Sequence, residues 1–140
     1  MIRALRLHHK HRKVELIARV PLFRDSSRRE IEKIARLADE IEVPAGRELT
    51  REGETGKEFV VLAEGAAEVT CEGRTVNKLR SGDFLGEIAL VTGAPRTATV
   101  TTTEPSRLLI VGAFMFKELL RTAAVERRVL ATLAARLPSD

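Results

Sequence analysis

Apolar residues recur at a helical spacing in the first part of the chain. One set predicts a helix that ends before Pro21, because proline cannot continue a helix: Val14, Leu16, Ile17 and Val20. Leu22 and Phe23 follow as expected core residues. A second helix is predicted after Ser27, which can form a capping box with Glu30. Its apolar face comprises Ile31, Ile34, Ala35, Leu37 and Ala38.

From Ile41 onward the apolar period changes towards two, and turn residues recur at short intervals. Eight strands are predicted, at residues 40–44, 47–50, 58–64, 67–71, 75–79, 83–85, 97–103 and 106–111. Strands this short and this frequent are typical of a sandwich or a closed barrel. Helical spacing returns from Ala113 to Leu137, with a bend predicted near residues 121–123. The predicted apolar stripe of this segment comprises Phe114, Phe116, Leu119, Leu120, Val125, Val129, Leu130, Leu133 and Leu137. We therefore expect a mainly β fold with flanking helices at both ends.

Residues 84–100 combine two charges and a glycine in a way that suits a nucleotide. Gly86 allows close backbone approach, and the helix-compatible run that starts at Glu87 would offer free N–H groups to an anion. Nine residues after Glu87, past the turn at residues 93–95, Arg96 supplies a five-donor guanidinium for the same anion. Glu87 would repel an anion, so its expected partner is a hydroxyl donor such as a ribose 2′-OH. An anion beside a hydroxyl indicates a nucleotide.

This segment resembles the phosphate-binding cassette of the cyclic nucleotide-binding domain family. The cassette pattern runs Phe-Gly-Glu-hydrophobic-Ala-Leu, a short spacer and then Pro-Arg-small-Ala. Residues 85–98 match it without a gap, with Leu85 in the place of Phe. Upstream, residues 43–46, 51–56, 59–65 and 68–69 are similar to the first barrel strands of the family. The likeness covers most of residues 20–120.

The resemblance implies an eight-stranded antiparallel jelly roll, or double-stranded β-helix barrel, that binds cAMP or cGMP and needs no cofactor. It implies ligand contacts from Gly86, Glu87, Ile88, Ala89, Arg96 and Thr97. Glu87 is expected on the ribose 2′-OH and Arg96 on the cyclic phosphate. Gly86 and Ala89 would contribute backbone N–H groups, and Thr97 its hydroxyl and N–H.

The end of the last helix is the expected lid over the base, again by resemblance. The candidate lid residues are Leu130, Leu133 and Arg136. We expect cAMP in preference to cGMP, although Thr97 is compatible with both and is also an ordinary β-branched strand residue. Occupancy is expected to pass through the flanking helices to an effector protein or to a fused output domain outside this chain. The sequence does not predict the oligomeric state.

Length, charge and cysteine content suit a regulatory domain of this kind. The 140 residues carry a net charge of +4, and we expect a basic tail at 1–12 and a single domain at 13–140. That domain divides into helices at 13–39, a barrel at 40–112 and C-terminal helices at 113–137. Cys71 is the only cysteine, which excludes an internal disulfide framework and favours the cytoplasm. No apolar run is long enough to predict a membrane span.

Other function classes lack the residues that they need. All three histidines lie in the tail before residue 12, so we predict no metal site. The barrel region offers Cys71 without a histidine to activate it, so we predict no catalytic residue and no enzyme. The helical stretch after the barrel is too short for a DNA-reading helix-turn-helix. One alternative stays open, a ligand-independent protein-interaction barrel in which Glu87 and Arg96 form a structural ion pair.

Overall fold

The computed structural model describes residues 12–86 and 95–136, apart from the side chains of Leu133 and Arg136. Within these ranges the chain runs from helices into strands and back into helices. The helical elements are α1 at residues 12–18, a 3-10 turn at Pro21–Phe23, α2 at Arg28–Leu37, α3 at Ala113–Leu119 and α4 at Ala123–Arg136. The strands are β1 Asp39–Val43, β2 Glu48–Thr50, β3 Glu58–Glu64, β4 Ala66–Cys71, β5 Arg74–Arg80, β6 Phe84–Leu85, β7 Thr99–Thr102 and β8 Ser106–Gly112.

The helix α2 begins where the sequence predicts, whereas α1 ends at residue 18, before Val20. Pro21 stops α1 and occupies the first position of the 3-10 turn, where its missing N–H costs nothing. Ser27 and Glu30 form the predicted capping box at the start of α2. The N–H of Ser27 donates to Glu30 Oε1 at 2.8 Å, and the N–H of Glu30 donates to Ser27 Oγ at 3.2 Å.

The strands form two antiparallel four-stranded sheets. The first sheet has the order β1-β8-β3-β6 and the second has the order β2-β7-β4-β5. This is the strand order of a jelly roll, so the predicted fold class is confirmed. Within the second sheet, β4 and β5 are joined by a tight hairpin at Glu72 and Gly73, whose φ angles of 51° and 78° are those that a two-residue turn requires.

The first sheet is buried on both faces, which can be followed along β3. Phe59, Val61 and Ala63 face the helices, while Val60 and Leu62 face the second sheet. The helical core is the cluster of Val14, Leu16, Ile17, Val20, Leu22, Phe23, Ile31, Ile34, Ala35, Ala38, Phe59, Val61, Ala63, Phe84, Leu109, Val111, Phe116, Leu119, Val125 and Val129. The inter-sheet core is the cluster of Val43, Val60, Leu62, Ala67, Leu79, Leu85, Val100 and Leu108. The molecule therefore has three layers: the helices, the first sheet and the second sheet.

The C-terminal helices break between Leu120 and Thr122, near the predicted bend. In α3, Phe116 is buried, but Phe114 is 75% exposed, which corrects its place in the predicted apolar stripe. Positions two apart on a helix point about 200° away from each other, so these two rings cannot face the same core. In α4, Val125 and Val129 are fully buried. Among the described helices none has both the length and the apolarity to cross a membrane.

The strand that follows the predicted cassette is shorter than predicted. It was expected at 97–103, but β7 covers Thr99–Thr102. The backbone of Arg96 bonds to another loop instead of a strand: the N–H of Arg96 donates to Glu54 O at 2.8 Å, and the N–H of Gly53 donates to Arg96 O at 2.8 Å. These two bonds hold Arg96 outside the second sheet.

Candidate functional site

A cavity of about 480 Å³ opens at one end of the second sheet. Its wall is one row of inward-facing residues, paired across the four strands in the order Thr50, Val100, Val69 and Asn77. Gly86, Arg96 and Thr97 line the same cavity, and Ala135 of α4 lies at its edge. The volume falls within the range of small-ligand sites, which is about 300–1,000 Å³.

Gly86 lies directly after β6 in a conformation that requires glycine. Its φ is +98°, where a side chain would be strained. A Cβ placed on it would lie 2.5 Å from Glu58 O and 2.6 Å from Arg96 Nη1. The missing side chain therefore allows the guanidinium of Arg96 to pack directly on the backbone of Gly86.

Arg96 is held at both its backbone and its side chain. Its backbone bonds to the loop at residues 53–54, as described above, and its Nη2 donates to the carbonyl oxygen of Glu58 at 2.7 Å. Its side chain is half-buried at the wall of the cavity. Backbone groups of the protein thus orient this positively charged fork at the wall of the cavity.

Thr97 and Cys71 meet at the cavity beside Arg96. The thiol of Cys71 donates to Thr97 O at 3.6 Å, while the side chain of Thr97 is exposed. Partial burial raises the pKa of Cys71, and the nearby carboxylates of Glu52 and Glu72 raise it further. Cys71 is therefore a protonated thiol at neutral pH, which makes it a weak donor within the wall.

Sequence reasoning missed three polar members of the cavity wall, Thr50, Asn77 and Cys71. The sequence of β5 does not alternate, so the inward position of Asn77 follows only from its pairing with Val69 of β4. Leu79 is buried and points inward, so Asn77, two residues earlier, lies on the same face of the strand. Its backbone neighbour Lys78 donates an N–H to Asn77 Oδ1 at 2.8 Å. Asn77 is exposed at the cavity, so its side-chain amide can donate to a polar group there.

The remaining predicted site residues are only partly described. Glu87, Ile88 and Ala89 lie outside the described residues, and so do the side chains of the candidate lid residues Leu133 and Arg136. Leu130 is described and is 48% exposed, on the part of α4 that leads to the cavity. Their ligand roles stay predictions.

The comparison with known families agrees with this geometry. A model of the cyclic nucleotide-binding domain matches residues 40–123, a range that contains the strands of the cavity wall, Gly86 and Arg96. The chain belongs to the cyclic nucleotide-binding domain family. Domains of this family are regulatory binding modules.

Individual relatives have longer chains. A cyclic nucleotide-gated potassium channel of Rhizobium etli is 35% identical over 124 residues, which cover 81% of this chain and 35% of the channel. A cAMP-dependent protein kinase regulatory subunit of Mycosarcoma maydis is 41% identical over 99 residues, which cover 66% of this chain and 19% of the subunit. The chain therefore spans only about a third or less of the length of these curated relatives.

A solved structure supports the fold at low sequence identity. The regulatory subunit of a cAMP-independent protein kinase A from Trypanosoma brucei superimposes with a TM-score of 0.82 at 18% identity. The superposition covers 90% of this chain and 46% of that subunit.

Proposed function

We propose that this chain is a regulatory sensor that binds cAMP, in preference to cGMP, in the cavity at the end of the second sheet. The observation that carries the proposal is the placement of Arg96 on the bare backbone of Gly86 at the wall of that cavity. Arg96 would bind the cyclic phosphate, and Gly86 would bring its backbone close to the same group. Thr97 would add a hydroxyl at the rim of the site.

The predicted residues outside the described ranges complete the proposed site. Glu87 would accept a hydrogen bond from the ribose 2′-OH, since a carboxylate is an acceptor only. Ile88 and Ala89 would lie beside the phosphate, with the N–H of Ala89 donating to it at the start of a helical turn. A phosphodiester carries one negative charge, and a half-buried guanidinium gains from a charge-assisted bond to it.

The proposed relay runs through α4. Ala135 lies at the edge of the cavity, while Val125 and Val129 on the same helix are buried in the helical core. A nucleotide base beside Ala135 would favour one position of this helix over others, and a ligand shifts only equilibria whose states it binds unequally. Leu130, Leu133 and Arg136 are the proposed lid residues, and an effector protein or a fused output domain would detect the change.

Thermal unfolding of the chain with and without cAMP tests the binding proposal. At a hundredfold excess over the dissociation constant, the nucleotide should raise the free energy of unfolding by about 2.7 kcal/mol. Arg96→Ala should weaken binding by about 2–5 kcal/mol, hence at least tenfold by calorimetry, with the fold retained. Arg36→Ala, which removes an exposed arginine of α2, is the matched control and should bind as the unmodified chain does. An unchanged dissociation constant for Arg96→Ala would reject its assignment to the phosphate.

The preference for cAMP rests on the kinase regulatory subunit, which is named for its dependence on cAMP. A competition titration of cAMP against cGMP on the same chain measures the preference directly. Tighter binding of cGMP would overturn the choice of nucleotide and leave the site assignment standing. The proposal also places the chain in the cytoplasm, because its single cysteine is a free thiol.

The alternative is a ligand-independent interaction barrel in which Arg96 and Glu87 form a structural ion pair. The observation that favours it is the structural likeness to a kinase subunit described as cAMP-independent. Under this alternative neither cAMP nor cGMP would raise the unfolding temperature. Arg96→Ala would then lower stability instead of affinity, because one charge of a pair would lose its partner.

A further inference from the structure

The charge of the chain is divided between the helices and the strands. Residues 12–38 and 113–136, which form the helical layer, contain thirteen Lys or Arg residues and six Asp or Glu residues, a net charge of +7. Residues 39–112, the range that contains the strands of both sheets, include eight basic and thirteen acidic residues, a net charge of −5. A small domain with such a division presents a positive side and a negative side to its surroundings.

Basic residues of the positive side are concentrated where the N-terminal turn, the 3-10 turn at Pro21–Phe23 with the residues that follow it, meets α4. Arg128 Nη2 lies 2.6 Å from Asp25 Oδ2, although the two residues are 103 positions apart in the chain. Arg24 and Arg127, the sequence neighbours of this pair, are both exposed. The hydrogen bond from Arg128 lowers the pKa of Asp25, and the charges of Arg128, Arg24 and Arg127 lower it further. We call Arg24, Arg127 and Arg128 the arginine cluster; it surrounds a single carboxylate.

The start of α2 adds positive charge beside the arginine cluster at a cost in stability. Arg28 and Arg29 occupy the first two positions of this helix, where the positive end of the helix dipole disfavours cations. Arg28 is partly compensated by Glu32, with Nε and Oε1 3.5 Å apart, while Arg29 is exposed. Positions that contradict a local stability rule without structural gain are expected at functional surfaces.

We propose that the arginine cluster is a docking site for an acidic segment of a partner polypeptide. Planar guanidiniums match planar carboxylates in shape and charge, and Asp25 already pairs with one of the three. Aspartate or glutamate side chains of the partner would form ion pairs with Arg24 and Arg127. The site joins the N-terminal turn to α4, so the partner would contact both ends of the domain at once.

Other anionic macromolecules fit the observations less well. Recruitment to anionic membranes uses clusters of about four to eight basic residues, whereas Asp25 and Glu32 pair with two of the five arginines at this surface and leave three. Binding of single-stranded nucleic acid uses several aromatic side chains that stack on successive bases, whereas Phe114 is the one exposed aromatic ring among the described residues.

A titration of the complete chain with fluorescein-labelled hexaglutamate, followed by anisotropy, tests the proposal. The double variant Arg24→Ala/Arg127→Ala should weaken binding about tenfold. The double variant Arg47→Ala/Arg74→Ala removes two exposed arginines of the strand layer and is the matched control, with the same change in net charge. It should bind hexaglutamate nearly as the unmodified chain does. Equal losses in the two double variants would mean attraction by net charge alone and would overturn the proposal.

Two further measurements test the role of Asp25 and the choice of an acidic peptide over a membrane. Asp25→Asn removes the carboxylate that competes for the cluster, so it should strengthen hexaglutamate binding; unchanged or weaker binding would contradict the proposed site. Vesicles of phosphatidylserine and phosphatidylcholine provide the lipid comparison. If the Arg24→Ala/Arg127→Ala variant lost vesicle binding while it kept hexaglutamate binding, the partner would be a membrane and the proposal would be wrong.

Discussion

The two faces of β3 have the same burial but different surroundings. On one face, the ring of Phe59 packs between Phe84 and Phe116, with centroid distances of 5.5 Å and 4.8 Å. On the other face, Leu62 belongs to the inter-sheet core, whose members are all aliphatic. The helical core is closed, whereas the inter-sheet layer continues into the open cavity. One face of β3 thus packs against the helices and holds them in position, and we call it the filled side. The other face belongs to the layer that continues into the cavity, which can take a ligand, and we call it the empty side.

At the start of β3, two consecutive residues contact the two sides: Glu58 contacts Arg96 of the cavity, and Phe59 contacts the helical core. The carbonyl of Glu58 holds the guanidinium of Arg96 at 2.7 Å, and the next residue, Phe59, packs against Phe116 of α3. A shift of Arg96 on ligand binding would therefore act on a backbone that also positions the helical core. Packed interiors have few intermediate arrangements, so such a shift favours discrete helix positions.

The largest loss of stability is expected from Phe59→Ala, which leaves a cavity in the core of the filled side. It should lower the free energy of unfolding by about 3–5 kcal/mol, because it removes a fully buried ring that contacts two others. Urea unfolding measures this loss. Hydrogen exchange should show that amides of α3 and α4 lose more protection than those of the second sheet.

Leu62→Ala is the matched control for the other face of the same strand. It should cost about 2–5 kcal/mol, a similar amount, because Leu62 is also fully buried. Its loss of protection should be greatest in the second sheet instead of the helices. If both variants changed exchange equally in helices and strands, the two cores would form one cooperative unit and the comparison between the two faces would fail.

The next effect is expected from Gly86→Ala, at the border of the empty side. The positive φ alone should cost about 1–2 kcal/mol, and the collision with Glu58 O should add about 1–3 kcal/mol. Because the new methyl group would also displace the guanidinium of Arg96, affinity for the cyclic nucleotide should fall at least tenfold under the proposed function. Urea unfolding and calorimetry measure the two consequences separately.

Gly73→Ala separates the backbone strain from the collision. Gly73 has a φ of +78°, but a Cβ there would have no atom within 4 Å. This variant should therefore lose only about 1–2 kcal/mol and should keep its affinity for the nucleotide. An equal loss of affinity in both variants would mean that Gly86 acts through general stability and not through Arg96.

Local signals in the sequence were sufficient for most of the fold. The capping box of Ser27 and Glu30 involves residues three apart, and the strands are two to seven residues long, so short windows contain the information. The cassette pattern also placed Gly86 and Arg96 in one neighbourhood. Their actual contact was not predicted, since it depends on the carbonyl of Glu58, which lies 38 residues before Arg96.

Features that depend on distant parts of the chain were missed or misjudged. The pair of Asp25 and Arg128 joins the two ends of the domain, and no short window contains both residues. The exposure of Phe114 was misjudged because an apolar residue beside a helical stripe looks the same in sequence whether or not a partner layer covers it. The inward-facing Asn77 was recognisable only once its strand had been paired.

A smaller effect is expected from Ser27→Ala, which tests the filled side without touching the empty one. The loss of the N-cap should lower the free energy of unfolding by about 1 kcal/mol, because the N–H of Glu30 loses its partner at the start of α2. Ser26→Ala is the neighbouring control: its hydroxyl is buried without a hydrogen-bond partner among the described residues, so its removal should be neutral or stabilising. Both variants should bind the nucleotide as the unmodified chain does. Reduced affinity in Ser27→Ala would show that the helical side is not independent of the cavity.

The smallest effect is expected from Asp25→Asn, at the outer edge of the helical layer. The hydrogen bond and charge of Arg128 lower the pKa of Asp25 from its ordinary value of 3.8, so the folded state binds this proton less readily than the unfolded state. The stabilisation is therefore present above about pH 3.8 and is lost as the pH falls below it. Urea unfolding at neutral pH and near pH 2 should show a small deficit for Asp25→Asn that disappears in acid.

The control for Asp25→Asn is Glu104→Gln, which removes an exposed carboxylate from the loop between β7 and β8. It should show no deficit at either pH. Added salt should also shrink the deficit of Asp25→Asn, because exposed charges are screened over about 10 Å at moderate ionic strength. A deficit that persisted in acid and in salt would mean that Asp25 stabilises the turn by packing. Packing contacts, and not charge, would then stabilise the edge of the filled side, as they stabilise its centre.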